Sequence, residues 1–145
     1  MSDTMTLTFE RSSDSEWKLH TGSAAMPVLH YNNSALTQEE KGNEHMGGRF
    51  MVAGAIACYT NSLWNDIKRA AGKPVSMTAS ATVTKEKTDS MRTAFTHIEL
   101  SVDLSAEELD NDAFERIRSA LYRGSLVTYS LEEGVEFDYE INLVK

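Results

Sequence analysis

The spacing of apolar residues divides the chain into stretches of different character. Met5, Leu7 and Phe9 alternate with Thr6, Thr8 and Glu10, and Trp17 and Leu19 alternate with Lys18 and His20. A period of two places one face of a strand against a core. Ser12-Ser13-Asp14-Ser15 lies between these runs and has the composition of a turn. Pro27 to Tyr31 supplies a third extended piece. Residues 4–31 are thus predicted to form a small antiparallel meander. The next segment, NNSALTQEEKGNEHMGG over residues 32–48, has no period. It reads as a loop of about 17 residues, a length more often found where a chain is functional than where it merely connects.

From Phe50 to Tyr59 nearly every residue is apolar or small. A helix that is apolar all round is covered on all sides. The later turns are amphipathic, with Leu63, Trp64 and Ile67 set against Asn65, Asp66, Lys68 and Arg69. This central helix is predicted over residues 49–71, closed by Gly72 and Pro74. Residues 75–145 then read strand, strand, helix, strand. Met77, Ala79, Ala81 and Val83 alternate with threonine and serine, and Ala94, Thr96, Ile98, Leu100 and Val102 form the inner row of a second strand. Ser105-Ala106-Glu107-Glu108 has the form of a capping box opening a helix with Leu109, Ala113, Ile117 and Leu121 on one face. Gly124 interrupts it, and a short helical turn through Leu131 follows, closed by Gly134. Val135, Phe137, Tyr139 and Ile141 mark a final strand.

Composition narrows the function. The chain has 145 residues, one cysteine and a net charge of −8 from 14 basic and 22 acidic residues. One cysteine permits no internal disulfide and no multi-cysteine zinc site. Twelve of the acids lie between Glu99 and Glu140. Nucleic acid and anionic membrane are therefore poor partners. No apolar run approaches the roughly 20 residues of a membrane span, and the polar start MSDTMTLTFERSSDSE has no signal-peptide pattern. A cytoplasmic protein is expected. There is no phosphate-binding loop, and the four histidines, His20, His30, His45 and His97, are widely spaced in sequence. No cofactor or metal is expected from these patterns.

Cys58 carries the candidate chemistry. A single cysteine on an apolar helix is ordinarily a small hydrophobe. Its helical neighbours at three and four residues are Gly54, Ala55, Asn61 and Ser62, of which three are very small. The sulfur is thus predicted to face a surface that a substrate or a second chain can approach closely. The stripe Val52, Ile56, Tyr59, Leu63 and Ile67 is bulky and is predicted to pack as core. Arg49 lies nine residues earlier, on the opposite side of the helix and about 13 Å along its axis. A cation to activate the thiol would have to come from Lys41 or His45 in the loop, from elsewhere in the fold, or from a second subunit.

The order of elements and two local runs resemble the OsmC/Ohr family, the osmotically inducible protein C and organic hydroperoxide resistance proteins. Ala53-Gly54-Ala55-Ile56-Ala57-Cys58-Tyr59 is similar to the family's small-residue run ending in Ala-Cys-Phe, and Gly124-Ser125-Leu126-Val127-Thr128 is similar to its Gly-Cys-Pro-Val-Ser. The resemblance runs from the loop before Arg49 to Lys145. It implies an α+β fold over a single domain, residues 1–145, with antiparallel sheets around a buried central helix in an intertwined homodimer. It implies that Cys58 attacks a peroxide O–O bond and that the active sites lie at the dimer interface. Ser125 stands where the family has its second cysteine, so no internal disulfide can form. Gly47-Gly48 stands where the family often has Pro-Glu, and Glu44 is the nearest substitute for the missing glutamate. Arg11 is the only arginine in the N-terminal strands, and its place in a turn does not match the family's arginine.

Two expectations follow from that resemblance. One is a one-cysteine thiol peroxidase that takes an organic hydroperoxide and is recycled by an external thiol reductant. The other is a non-catalytic dimer holding a small apolar molecule beside Cys58, or serving as a scaffold. A cysteine hydrolase using Cys58 and His45 lacks any oxyanion-hole motif and is set aside.

Overall fold

A computed structural model describes residues 2–144. The chain forms two compact units, the first ending at His45 and the second beginning at Met46.

The first unit is the expected meander, with a short helix after it. Strands β1 (Thr8–Arg11), β2 (Glu16–His20) and β3 (Leu29–Asn32) pair antiparallel in the order β1-β2-β3. Trp17 stacks on Tyr31 across the β2–β3 pair, with ring centroids 4.9 Å apart. Cross-strand aromatic pairs of this kind help to hold so small a sheet together. Arg11 closes the β1–β2 turn by donating to the carbonyls of Ser13 at 2.9 Å and Asp14 at 2.6 Å. Its guanidinium is thereby committed to the turn. Residues 32–48 are not all loop, as their lack of period suggested. Helix α1 (Gln38–Gly42) begins at a capping box in which Thr37 and Glu40 satisfy each other's backbone N–H groups. The T-x-x-E spacing carried that signal, but one turn of helix is too short to show a period.

The second unit is built on helix α2 (Met46–Arg69). It starts three residues earlier than the apolar run suggested, because Gly47 and Gly48 are helical. A Cβ at Gly48 would lie 2.5 Å from the Phe95 ring. This close approach of the ring accounts for the glycine. At the other end Ala71, not Gly72, adopts the left-handed conformation, with φ 63°. The Ala71 and Gly72 amides bond back to Lys68 and Ile67 at 3.1 and 2.9 Å, forming a Schellman closure.

Strands β4 (Lys73–Lys87) and β5 (Thr93–Glu107) form a long antiparallel hairpin. Ser105 therefore does not open a helix: it pairs with Ser76 inside the hairpin. Helix α3 (Asn111–Leu121) begins instead at Asp110, whose carboxylate accepts the Ala113 amide at 2.7 Å. The strand pairs overrode the local capping pattern. After α3 and α4 (Leu126–Leu131), strand β6 (Glu136–Leu143) returns parallel to β5. The second sheet, β4-β5-β6, is consequently mixed where antiparallel pairing was expected. A crossover through helices is what parallel pairing requires.

The core lies between α2, α3 and the inner face of this sheet. From α2 come Val52, Tyr59, Leu63 and Ile67, and from β5 come Ile98, Leu100, Val102 and Leu104. Phe114, Ile117 and Leu121 of α3 and Ile141 of β6 complete it. Ala55 is buried on the α2 stripe, whereas Ile56 is only half-buried at its margin. Because strand side chains alternate, the opposite face of the sheet carries His97, Glu99, Ser101 and Asp103 beside Glu136, Asp138, Glu140 and Asn142. No helix among the described residues is long and apolar enough to cross a membrane.

Candidate active site

Cys58 sits in the middle of α2, half-buried, at the border between two stripes of the helix. On one side is the core stripe. On the other, Ala53, Ala57 and Asn61 are exposed. Arg49 is on the same continuous helix, on the side opposite the sulfur, as its spacing indicated. Among the described residues, nothing lies within 4 Å of where a Gly54 side chain would begin. The small residues around Cys58 thus leave room for close approach. Within the second unit no hydrogen bond or ion pair reaches the sulfur. A shallow open cleft of about 650 Å³ lies along α2 and β4, lined by Ile56, Thr60, Asn61, Trp64 and Met77. Most of that lining lies on the side of the helix away from Cys58.

Ser125 is in the same unit and is buried. It is the N-cap of α4, a helix that packs against α2. The left-handed Gly124, with φ 85°, turns the chain from α3 into this cap. A Cβ there would lie 2.7 Å from Thr128 Oγ1. The Ser125 amide donates to Thr128 Oγ1 at 2.7 Å, and the two hydroxyls are 3.2 Å apart. Ser125 therefore already has a structural partner. Thr128, fully buried, was not singled out in the sequence, although its place three residues after the N-cap was a usable signal. Glu44 belongs to the first unit, where it is half-buried and accepts a hydrogen bond from the Tyr31 hydroxyl at 3.4 Å.

Directly after Cys58 the buried Tyr59 opens an aromatic cluster that runs out to the half-buried Tyr139 and the exposed Tyr122. Tyr59 stacks on Tyr139 at 4.9 Å, and Tyr122 tilts against Tyr139 at 6.4 Å. The Tyr139 hydroxyl donates to Glu132 at 2.6 Å. The Tyr59 hydroxyl is buried with no hydrogen-bond partner among the described residues. Burial pushes both phenols above the usual tyrosine range, reinforced at Tyr59 by the neighbouring tyrosines and at Tyr139 by Glu132. In the unfolded chain both ionise near pH 10, so the stability they contribute is fully present below that pH and falls as pH rises above it. The fully buried Tyr59 adds a slope of up to about 1.4 kcal/mol per pH unit there, and the half-exposed Tyr139 adds less. Tyr59→Phe removes one of these ionisations and an unsatisfied hydroxyl. Urea unfolding should show a shallower loss of stability above pH 10, with stability at pH 7 equal or up to about 1 kcal/mol higher.

The architecture defines a class: an α+β protein with a meander, a central cysteine-bearing helix, and a mixed sheet closed by a helical crossover. It is the OsmC/Ohr fold. The OsmC-like protein of Mycoplasma pneumoniae superposes with a TM-score of 0.75 over 100% of both chains, at 10% identity. An OsmC-like protein of unknown function from Vibrio cholerae gives 0.70 over 99% of this chain and 100% of its own, at 9% identity. The organic hydroperoxide resistance protein of Elizabethkingia anophelis gives 0.68 over 99% and 100%, at 13% identity. No family sequence model and no curated protein sequence matches the chain. The likeness is thus one of fold.

Proposed function

We propose that this protein is a thiol-dependent peroxidase of the one-cysteine kind, acting on organic hydroperoxides. The observation that carries this reading is the place of Cys58: half-buried in the central helix, flanked by small residues, in a fold shared with organic hydroperoxide resistance proteins. The Cys58 thiolate attacks one peroxide oxygen, the O–O bond breaks, and the alcohol leaves after taking up a proton. The product is a sulfenic acid. One external thiol displaces water to give a mixed disulfide. A second thiol releases Cys58 and departs as the oxidised disulfide. Ser125 takes no part in that exchange, since a hydroxyl cannot form a disulfide.

The exposed strip of α2 bearing Ala53 and Ala57 supports a homodimer built on this helix. Light scattering at micromolar protein should give twice the 16.1 kDa chain mass. A mass of one chain would oppose this assembly. The peroxidase reading itself is tested by treating the protein with an organic hydroperoxide in the presence of a sulfenic-acid trap. Trapping of a Cys58 sulfenic acid before any methionine is oxidised to its sulfoxide supports it, and an unmodified Cys58 beside oxidised methionines overturns it.

A second reading rests on the lack of any hydrogen bond to the sulfur within its unit and on the engagement of Ser125 by Thr128. In that reading the protein is a non-catalytic dimer that holds a small apolar molecule. The Ser125→Cys variant tests the placement common to both readings. On peroxide treatment it should cross-link to Cys58, provided the two Cα atoms can come within about 4.4–6.8 Å. A non-reducing peptide map without the linked peptide would remove Ser125 from the resolving position.

A further inference from the structure

On the outer face of the second sheet, a histidine converges with two carboxylates that lie about 40 residues further along the chain. Parallel pairing sets His97 of β5 directly beside Glu136 of β6, and Asp138 follows two residues later on the same face. His97 Nε2 lies 3.1 Å from Asp138 Oδ2, and Nδ1 lies 3.7 Å from Glu136 Oε2. One ligand atom from each residue falls within 4.8 Å of the other two. Among the described residues, the only ion-pair partner of either carboxylate is His97. Glu99 and Glu140 share the face, so the local potential favours a cation.

We propose that His97, Glu136 and Asp138 form a surface site for a divalent transition-metal ion of the zinc type. The imidazole decides the class. Carboxylates alone suit magnesium or calcium, whereas a nitrogen beside two carboxylates suits zinc and its neighbours. Metal–ligand bonds of about 2.0–2.2 Å place tetrahedral ligand atoms about 3.4 Å apart. Closing the present spacing to that value needs rotation of two carboxylates, 75% and 63% exposed, and no movement of the strands. One ring nitrogen binds the ion, water fills the remaining position, and a bound ion ties β6 to β5 across the parallel ladder.

The test is calorimetric titration of zinc chloride into the full chain carrying Cys58→Ser, which removes competition from the thiol. One ion per chain should bind, with micromolar affinity. The His97→Gln and Asp138→Asn variants should each weaken binding at least about tenfold, with unchanged circular dichroism. The control His30→Gln, which removes the His30–Glu16 pair of the first sheet, should leave the affinity unaltered. Magnesium should give no saturable binding in the same range. In nitrogen-15 spectra, the ring signals of His97 should shift and those of His20 and His30 should not. Equal zinc affinity in His97→Gln, equal binding of magnesium, or no saturation below about 1 mM would each overturn the proposal.

Discussion

Cys58→Ser is expected to reduce hydroperoxide consumption to the rate of the thiol donor alone. The drop should be at least about 100-fold, the scale of removing a nucleophile rather than a helper. Serine replaces one sulfur by one oxygen at a half-buried position that makes no hydrogen bond within its unit, so folding should be almost unaffected. Activity and stability therefore separate in this variant. Several thiol donors should be compared, because a one-cysteine enzyme depends on an external thiol to open its sulfenic acid. If the variant consumes peroxide as fast as the native chain, Cys58 is not the reacting group. If neither protein exceeds the background with any donor, the ligand-holding reading stands in its place.

Leu63→Ala should have the largest effect on stability. Leu63 is fully buried on α2, in the cluster with the inner residues of β5 and those of α3. Removing three carbons there leaves a cavity that the packed sheet cannot collapse to fill. The expected loss is about 3–4 kcal/mol, which lowers Tm by roughly 10 °C for a chain of this size. Melting must be compared at one protein concentration, since association shifts Tm by mass action. An exposed site on the same helix, Lys68→Ala, should change Tm by little. A loss below about 1 kcal/mol at Leu63 would show that the site relaxes, contrary to its place in the core.

Much of this fold was legible because its elements are long and periodic. The alternation of Ile98, Leu100 and Val102 announced a strand with one buried face, and that face is the core. The α2 stripe was legible for the same reason. Errors arose where two local signals competed with a distant one. Ser105 carries a helix-opening pattern, but fourteen residue pairs between β4 and β5 hold it in a strand. Parallel pairing of β6 could not be read from alternation, which is the same in either direction. The candidate site was legible in part. Cys58 stood out by its rarity and Ser125 by its family-like run. Thr128, which engages Ser125, has no signature beyond a spacing of three. His97 is separated from Glu136 and Asp138 by a long stretch of chain, and only strand register brings it beside them.

The helical crossover also orders events during synthesis. Asp103 of β5 and its partner Asn142 of β6 are 39 residues apart. At roughly 5–20 residues per second, the ribosome delivers β6 some 2–8 s after β5. The hairpin β4–β5 can close in microseconds. For seconds, then, the nascent chain presents β5 with one side of its backbone unpaired, a template for any strand nearby. The acidic side chains of Glu99 and Asp103 on that strand repel a second copy of the same hairpin during this interval.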